Sequence, residues 1–425
     1  MAYVFAGLYA MKIRFIFLLL LSPSALAHYI PSLTQATTVD ASLAVSWSSA
    51  SQVGDYDFWQ IPGTLMGGDA WPTRKGVDIN EMNIGLSHRL DDNLFAVIKL
   101  GSHSAGTDSH GAVDLEHAYV GWVCCDEFGP WVVEAGKMSA LFSPALGVHG
   151  AERLSSDTPL VLDVLFGRHF HDQGIRFWLH ETGGFSVGAE LWKGQAFPAT
   201  DSEKGGAWDI FGRYQWQGQR LHLSAGAWLY SATAEARADH RYGGGHQHNP
   251  VAPPGQAAAP FPDIRYSGDT NIGGLHGAFS YQLNQRWQLG MEAEWMQAKL
   301  DGIVHKNTGI QAQLDGTHSG GWLQPFITRD KHTLAIRAEL LSMKNTLTGP
   351  AAPVLAAESG LANPLEHDPQ RLSLIWRWQW RDHLALRAQA VRDNSLVERE
   401  HYLLLGVVWQ QRLWPHVAAA RDHHH

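Results

Sequence analysis

Cysteine is nearly absent from this chain. Cys124 and Cys125 are the only two in 425 residues. Side by side, they cannot staple distant parts of a fold, and they lack the spacing of a metal chelate. Also missing is any later apolar run of the roughly 18 residues that a membrane helix requires. The one short apolar run, Phe15–Leu21, follows Lys12 and Arg14 and precedes the small-residue site Ala25-Leu26-Ala27. That order of basic, apolar and small residues is a signal peptide, residues 1–27. Met11 stands directly before it as an alternative start. Cleavage after Ala27 removes two basic and no acidic residues, so the charge of −9 becomes −11 over the mature chain. An acidic, exported chain is expected to have no nucleic-acid partner.

Export without a spanning helix leaves the periplasm, the outside of the cell, or a barrel in the outer membrane. The composition suits the barrel: 18 Trp, 43 Gly and 11% aromatics, at a mean hydropathy of only −0.19. A barrel spreads its apolar residues along one face of every strand, so no single segment is strongly hydrophobic.

Period-two alternation runs the length of the chain. Leu372, Leu374, Trp376, Trp378 and Trp380 alternate with Arg371, Ser373, Arg377 and Gln379. The same rhythm recurs at Trp287–Trp295, Leu334–Leu340 and Leu221–Leu229, and it ends with Leu403, Leu405, Val407 and Trp409. Strands of about ten residues with aromatic ends match tilted strands crossing a bilayer. Short turns fall near 90–93, 124–129, 181–184, 216–219, 283–285, 329–331 and 381–382. Longer loops alternate with them at 49–77, 102–112, 138–171, 193–206, 231–268, 300–316, 345–368 and 394–400. These connections imply a transmembrane antiparallel up-and-down β-barrel of about 16 strands over residues 28–414. A short tail, 415–425, follows instead of the usual aromatic last residue. Such a barrel is wide enough for an aqueous channel. The third long loop, 138–171, is rich in apolar residues such as Leu141, Phe142, Leu160 and Phe166. An exposed loop rarely carries so many, so it is expected to fold into the lumen.

Several runs resemble known proteins. Asp114-Leu-Glu-His-Ala-Tyr-Val120, Val132-Val-Glu-Ala-Gly-Lys137 and Phe166-Gly-Arg-His-Phe-His-Asp-Gln-Gly174 resemble blocks of the phosphate-selective porin O/P superfamily. Gly184–Gly188 and Trp208–Arg213 continue the likeness. Within that superfamily the His-rich branch of zinc-regulated outer-membrane proteins is the most similar; some of its members are labelled TonB-dependent receptors. The resemblance spans about residues 78–230 and implies a channel with an inward third loop. An energised receptor would need 22 strands and a separate plug, and no plug-like segment precedes residue 39.

Candidate functional residues follow from the strand phase. The inward face is expected to carry Arg89, Arg176, Arg213, Arg220, Arg337, Arg371, Arg377 and Arg387, with Glu81, Asp209, Glu292, Glu294 and Glu339. Rings of charge of this kind set which ions pass. The interleaved acids argue against a dedicated phosphate pore. Histidine is abundant, 24 in all, and the fifth long loop holds His240, His246 and His248 among Gly and Pro. Such a loop could capture Zn²⁺ or another divalent transition metal, or be solvated low-complexity sequence with incidental His. His169 and His171 on the third loop could take the same role with Asp172, although packing is the simpler reading. His423–His425 are ambiguous between native residues and a tag. An outer-membrane enzyme would need a serine, histidine and acid, or an acid pair, at one rim, and no such signature stands out. The expectation is therefore a non-enzymatic porin-type channel for small solutes or ions. It would sit in outer-membrane lipid as a homotrimer by analogy of fold, with no required cofactor. The alternative is a non-conducting receptor or metal-binding surface protein.

Overall fold

The computed structural model describes residues 37–50, 59–103, 113–124, 130–242, 264–362 and 367–414. The expected signal peptide, the tail, Cys125, His246, His248 and His423–His425 lie outside them.

Sixteen strands form one closed antiparallel barrel in which each pairs with its chain neighbours and β1 pairs with β16. They are β1 (Thr37–Ser48), β2 (Gly76–Arg89), β3 (Leu94–His103), β4 (Asp114–Cys124), β5 (Trp131–Ser139), β6 (His171–Thr182), β7 (Phe185–Trp192) and β8 (Gly206–Gln217). The second half comprises β9 (Leu221–Ala238), β10 (Ile264–Gln282), β11 (Trp287–Lys306), β12 (Gln311–Arg329), β13 (His332–Thr348), β14 (Gln370–Arg381), β15 (Leu384–Asn394) and β16 (Glu400–Trp414). Three short helices sit in loops: α1 (Pro144–Gly147), α2 (Leu160–Phe166) and α3 (Ala352–Glu358).

The alternation read from the sequence is the inside–outside alternation of the wall. Along β14, Leu372, Leu374, Trp376 and Trp380 are exposed while Arg371, Ser373, Ile375 and Arg377 are buried. The exterior is a band of Ile, Leu and Val. At its short-turn end it is edged by Trp122, Phe185, Tyr214, Trp216, Tyr281, Trp380 and Trp414, and at its long-loop end by Trp47, Trp208 and Trp295. Closure leaves no strand edge unpaired, which is the condition for backbone in hydrocarbon. A closed barrel with this apolar belt and aromatic edging is an outer-membrane barrel.

Two expected loops shrink. Strands β9 to β13 run for 17 to 20 residues, well beyond the ten or so that cross the hydrocarbon. The expected loop at 300–316 becomes a tight hairpin at 307–310, and β9 and β10 consume both flanks of 231–268. Beyond the membrane the outer face turns polar, as with Lys299, Asp301 and Asp315, so the segment reads as a loop by composition. The inner face continues as Ala298, Leu300, Val304 and Leu314, all buried. The period of two persists while the hydrophobicity does not.

The core of this protein lies inside the barrel. Phe142 packs against Trp228 at 4.7 Å and against Phe166 and Tyr230 at 5.4 Å between ring centres. Every residue of α2 is buried, and the helix rests on β12 and β13. Each such side chain contributes about 1.5–3 kcal/mol on burial. Gly167, at φ 61, ends α2 in the left-handed region, and its carbonyl accepts from the Asp69 amide at 2.8 Å. A Cβ on either Gly167 or Gly68 would meet the other's backbone, so the segment 59–75 can clasp the helix end only if both stay glycine.

The exterior assignment has a direct check. Leu374→Arg, near the middle of the belt, should lower unfolding free energy in vesicles by about 2–4 kcal/mol. The same substitution on the polar outer face beyond the belt, Thr317→Arg, should change it by less than about 1 kcal/mol.

Candidate functional site: the latched third loop and the cavities beside it

The loop between β5 and β6, residues 140–170, folds into the lumen as the sequence suggests. Its base is tied down at a buried charge cluster. Arg176 donates to Glu134 at 2.7 Å and to Glu190 at 2.8 Å, and the Leu141 amide reaches the Glu190 carboxylate at 3.0 Å. Asp209 accepts from the Trp192 indole at 2.7 Å beside this group. The resembling blocks supply Glu134, Arg176 and Asp209, so they build the hinge of the loop.

The far side of the loop crosses to β13–β15 and is latched there. Arg337 bonds Asp157 at 2.6 Å and Glu339 at 2.9 Å. Arg371 also holds Glu339 at 2.9 Å, and its second nitrogen lies 3.4 Å from Asp157. The other oxygen of Glu339 accepts both the Leu160 amide at 2.6 Å and a second Arg371 N–H at 3.0 Å. Arg387 donates to the carbonyls of Ser155, Gly150 and Ala151 at 2.8–3.0 Å, and Arg377 to those of Glu152 and Arg153 at 3.3–3.4 Å. On the third side Glu81 accepts from the Gly150 amide and lies 3.1 Å from the His149 ring. Burial would raise the Asp157 carboxyl, but Arg337 and Arg371 outweigh it and hold it well below the ordinary carboxylate range.

Most of the inward charges expected to line the pore are thus occupied in holding the loop. Arg176, Arg337, Arg371, Arg377, Arg387, Glu81 and Glu339 all face inward and bond the loop or its base. Arg89 faces inward at the turn end and donates to the Asp91 carbonyl at 2.8 Å. Arg220 is exposed in the turn between β8 and β9, outside both strands. Arg213, Glu292 and Glu294 line open space on the short-turn side.

Two cavities flank the latched segment. One of about 100 Å³ opens among residues 59–75, the ends of β1 and β2, and β14–β16, with Arg74, Asp78 and Glu400 on its wall. The other, about 410 Å³, lies on the short-turn side against β6–β13. Arg153 lines both. Burial, with Arg168 and Arg337 near, brings its pKa down to about 10, which leaves the guanidinium charged at neutral pH. Inward phase on a strand cannot find this residue, because it sits on the loop. The signal available was that Arg153 and Arg168 are the basic residues of 140–170. Arg168 is paired with Asp163 at 2.9 Å.

The histidines fall in two places. His169 lies 4.0 Å from Asp69, and His171 opens β6 with its ring 5.5 Å from His117. Asp172 accepts the amides of Gly194 and Gln195 at 2.9 Å. His240 begins a short 3₁₀ turn, His240–Tyr242, whose Arg241 ties to Asp239 at 2.6 Å. Among the described residues no group of three His, Cys, Asp or Glu side chains is placed to hold a metal ion. Gly184-Phe-Ser-Val-Gly188 has the spelling of a nucleophile elbow, but Ser186 lies inside β7 and accepts the Glu181 amide at 3.2 Å. That signature requires a strand-to-helix turn, whereas here a strand-to-strand turn at Gly183 and Gly184 leads into β7.

Arg337→Leu should destabilise the barrel by about 3 kcal/mol in denaturant unfolding, since it leaves the buried carboxylates Asp157 and Glu339 to share the single guanidinium of Arg371. The depressed Asp157 stabilises the folded loop above its unfolded pKa, near 3.9, and that stability is lost as pH falls through the lower folded value. Protease resistance of residues 140–170 should therefore be flat from pH 8 to pH 5 and fail only in stronger acid.

No family model matches this chain, and no curated protein does. Solved structures do. A loop-deletion mutant of OmpT, an outer-membrane protein of Vibrio cholerae, is 12% identical, with 89% of this chain and 100% of that one covered at a TM-score of 0.48. OprB of Pseudomonas putida is 13% identical over 88% of this chain and 93% of its own, at 0.47. The outer-membrane channel DcaP of Acinetobacter baumannii is 11% identical over 88% and 97%, also at 0.47. The likeness is one of barrel architecture alone.

Proposed function

We propose that this protein is a porin-type channel that lets small hydrophilic solutes or ions diffuse across the outer membrane. The observation that carries the reading is Arg153. It stands between an outward and an inward cavity in a barrel whose remaining lumen is filled by apolar packing around α2. A barrel closed for mechanical reasons alone would need no charged residue shared by two cavities. The passage is oblique. It enters beside β14–β16, where the wall is polar, and leaves beneath the loop beside β6–β13. In this reading the Arg153 guanidinium, which lines both cavities, favours anions, while Asp78, Glu398 and Glu400 at the outer mouth oppose them.

The resemblance of residues 78–230 to the phosphate-selective porin O/P superfamily supports the same reading, and its blocks coincide with the hinge of the inward loop. Two further parts of the proposal are trimeric assembly, which rests on analogy of fold, and capture of Zn²⁺ by His240, His246 and His248, which rests on sequence.

The test is single-channel recording of the refolded protein in a planar bilayer under a salt gradient. Ohmic steps are expected, and Arg153→Ala should raise the conductance severalfold and move the reversal potential toward cation selectivity. A Zn²⁺-dependent block lost in the double variant His246→Ala, His248→Ala would tie the outer loop to permeation. A folded barrel with no conductance would sink the channel reading in favour of a closed receptor.

A further inference from the structure

The larger cavity holds polar groups that the latch does not use. Arg213 on β8 has no hydrogen-bond or ion-pair partner among the described residues, and its Nε is buried. On β10, both ring nitrogens of His276 are buried without a partner, as is the indole nitrogen of Trp322 on β12. These residues form one row. Arg213 pairs with Gly226, Gly226 with His276, His276 with Glu294, and Glu294 with Trp322 across five adjacent strands. Neighbouring strands lie about 4.8 Å apart, so the row spans the floor of the cavity. Gly226 leaves a gap in it. A side chain there would collide with the His276 ring, so that ring leans over the glycine toward Arg213. The acid in the row, Glu294, lines the same cavity but is only 3% exposed and accepts from the Trp228 indole at 3.3 Å.

Unsatisfied buried donors on this scale are costly unless something accepts from them. The rest of the wall is mixed: Val148, Leu154, Trp178 and Phe326 give it apolar surface, and Glu152, Glu181, Glu292 and Glu294 also line it. A few donors gathered on one stretch of wall, with apolar surface and carboxylates making up much of the rest, do not suit a small inorganic oxyanion, which wants donors all round. They suit a carboxylate joined to an apolar body, and about 410 Å³ is within the range of small-molecule sites.

We propose that this cavity is a binding site for small carboxylates with an apolar body of about one aromatic ring. The carboxylate lies between Arg213 and His276 over Gly226, and the body lies against Leu154 and Phe326. The proposal rests on the channel reading for its route of access and names a solute class for it.

Calorimetric titration of the refolded barrel in detergent, with sodium benzoate as probe, tests binding without requiring conduction. Saturable binding at one site is expected. Arg213→Gln should weaken it at least tenfold, His276→Gln severalfold, and benzyl alcohol and inorganic phosphate should each bind at least tenfold more weakly than benzoate. Heat-modifiable migration and circular dichroism establish that each variant is folded; should Arg213→Gln not fold, His276→Gln and the two control ligands decide. The proposal is overturned if the folded wild type shows no saturable benzoate binding. It is equally overturned if phosphate matches benzoate, or if the folded variants bind unchanged. Bilayer recording of the same preparation separates the two readings. Conduction without benzoate binding removes this site and leaves the channel, whereas binding without conduction keeps the site and removes the channel.

Discussion

Asp157 and Glu339, held between Arg337 and Arg371, are the contact on which the arrangement of the lumen depends. A barrel of sixteen strands encloses more space than its own inward side chains can fill, so something else must define the interior. Here a 31-residue loop does so. It is held on one side by apolar packing around α2 and on the other by these two carboxylates and four arginines of the wall. The apolar side supplies adhesion without direction. The charged side supplies direction, because a guanidinium accepts only certain placements of a carboxylate. Between them they place Arg153 where two cavities meet.

This division of labour explains why an acidic chain has a wall that reads as basic. The arginines of β13–β15 do not face open water as a selectivity ring. They bond loop carbonyls and two acids. The cavities beside the loop are lined by other charges: Arg153, which bonds Thr158 and the Ala145 carbonyl within the loop, Arg213 beside His276 on the short-turn side, and Asp78, Glu398 and Glu400 on the outer side. Counting inward charges by strand phase therefore overstates how basic the open part of the lumen is.

Much of the fold was legible in the sequence because a barrel obeys a strict local rule. Each strand alternates, each turn is short on one side, and the count of connections fixes the number of strands. That is how residues 371–380 and 287–295 could be assigned an outside and an inside with no partner in view. The rule failed at residues 300–316, where the strands leave the hydrocarbon and the outer face turns polar. Composition then reads as a loop, although the alternation of Leu300, Gly302 and Val304 continues on the inner face.

The sequence by itself determined the barrel, the phase of each strand and the inward fate of the third loop, since these depend on hydrophobicity at a fixed period. It did not determine which inward charges face one another, because cross-lumen pairs such as Arg337 with Asp157 join residues 180 positions apart. Nor did it show that Arg213, Gly226 and His276 share a row, because register between strands is set by pairing and not by any one strand's pattern. Only the closed barrel decided that. Closure fixes the register of every strand at once, and so decides which charges are neutralised and which remain for a solute.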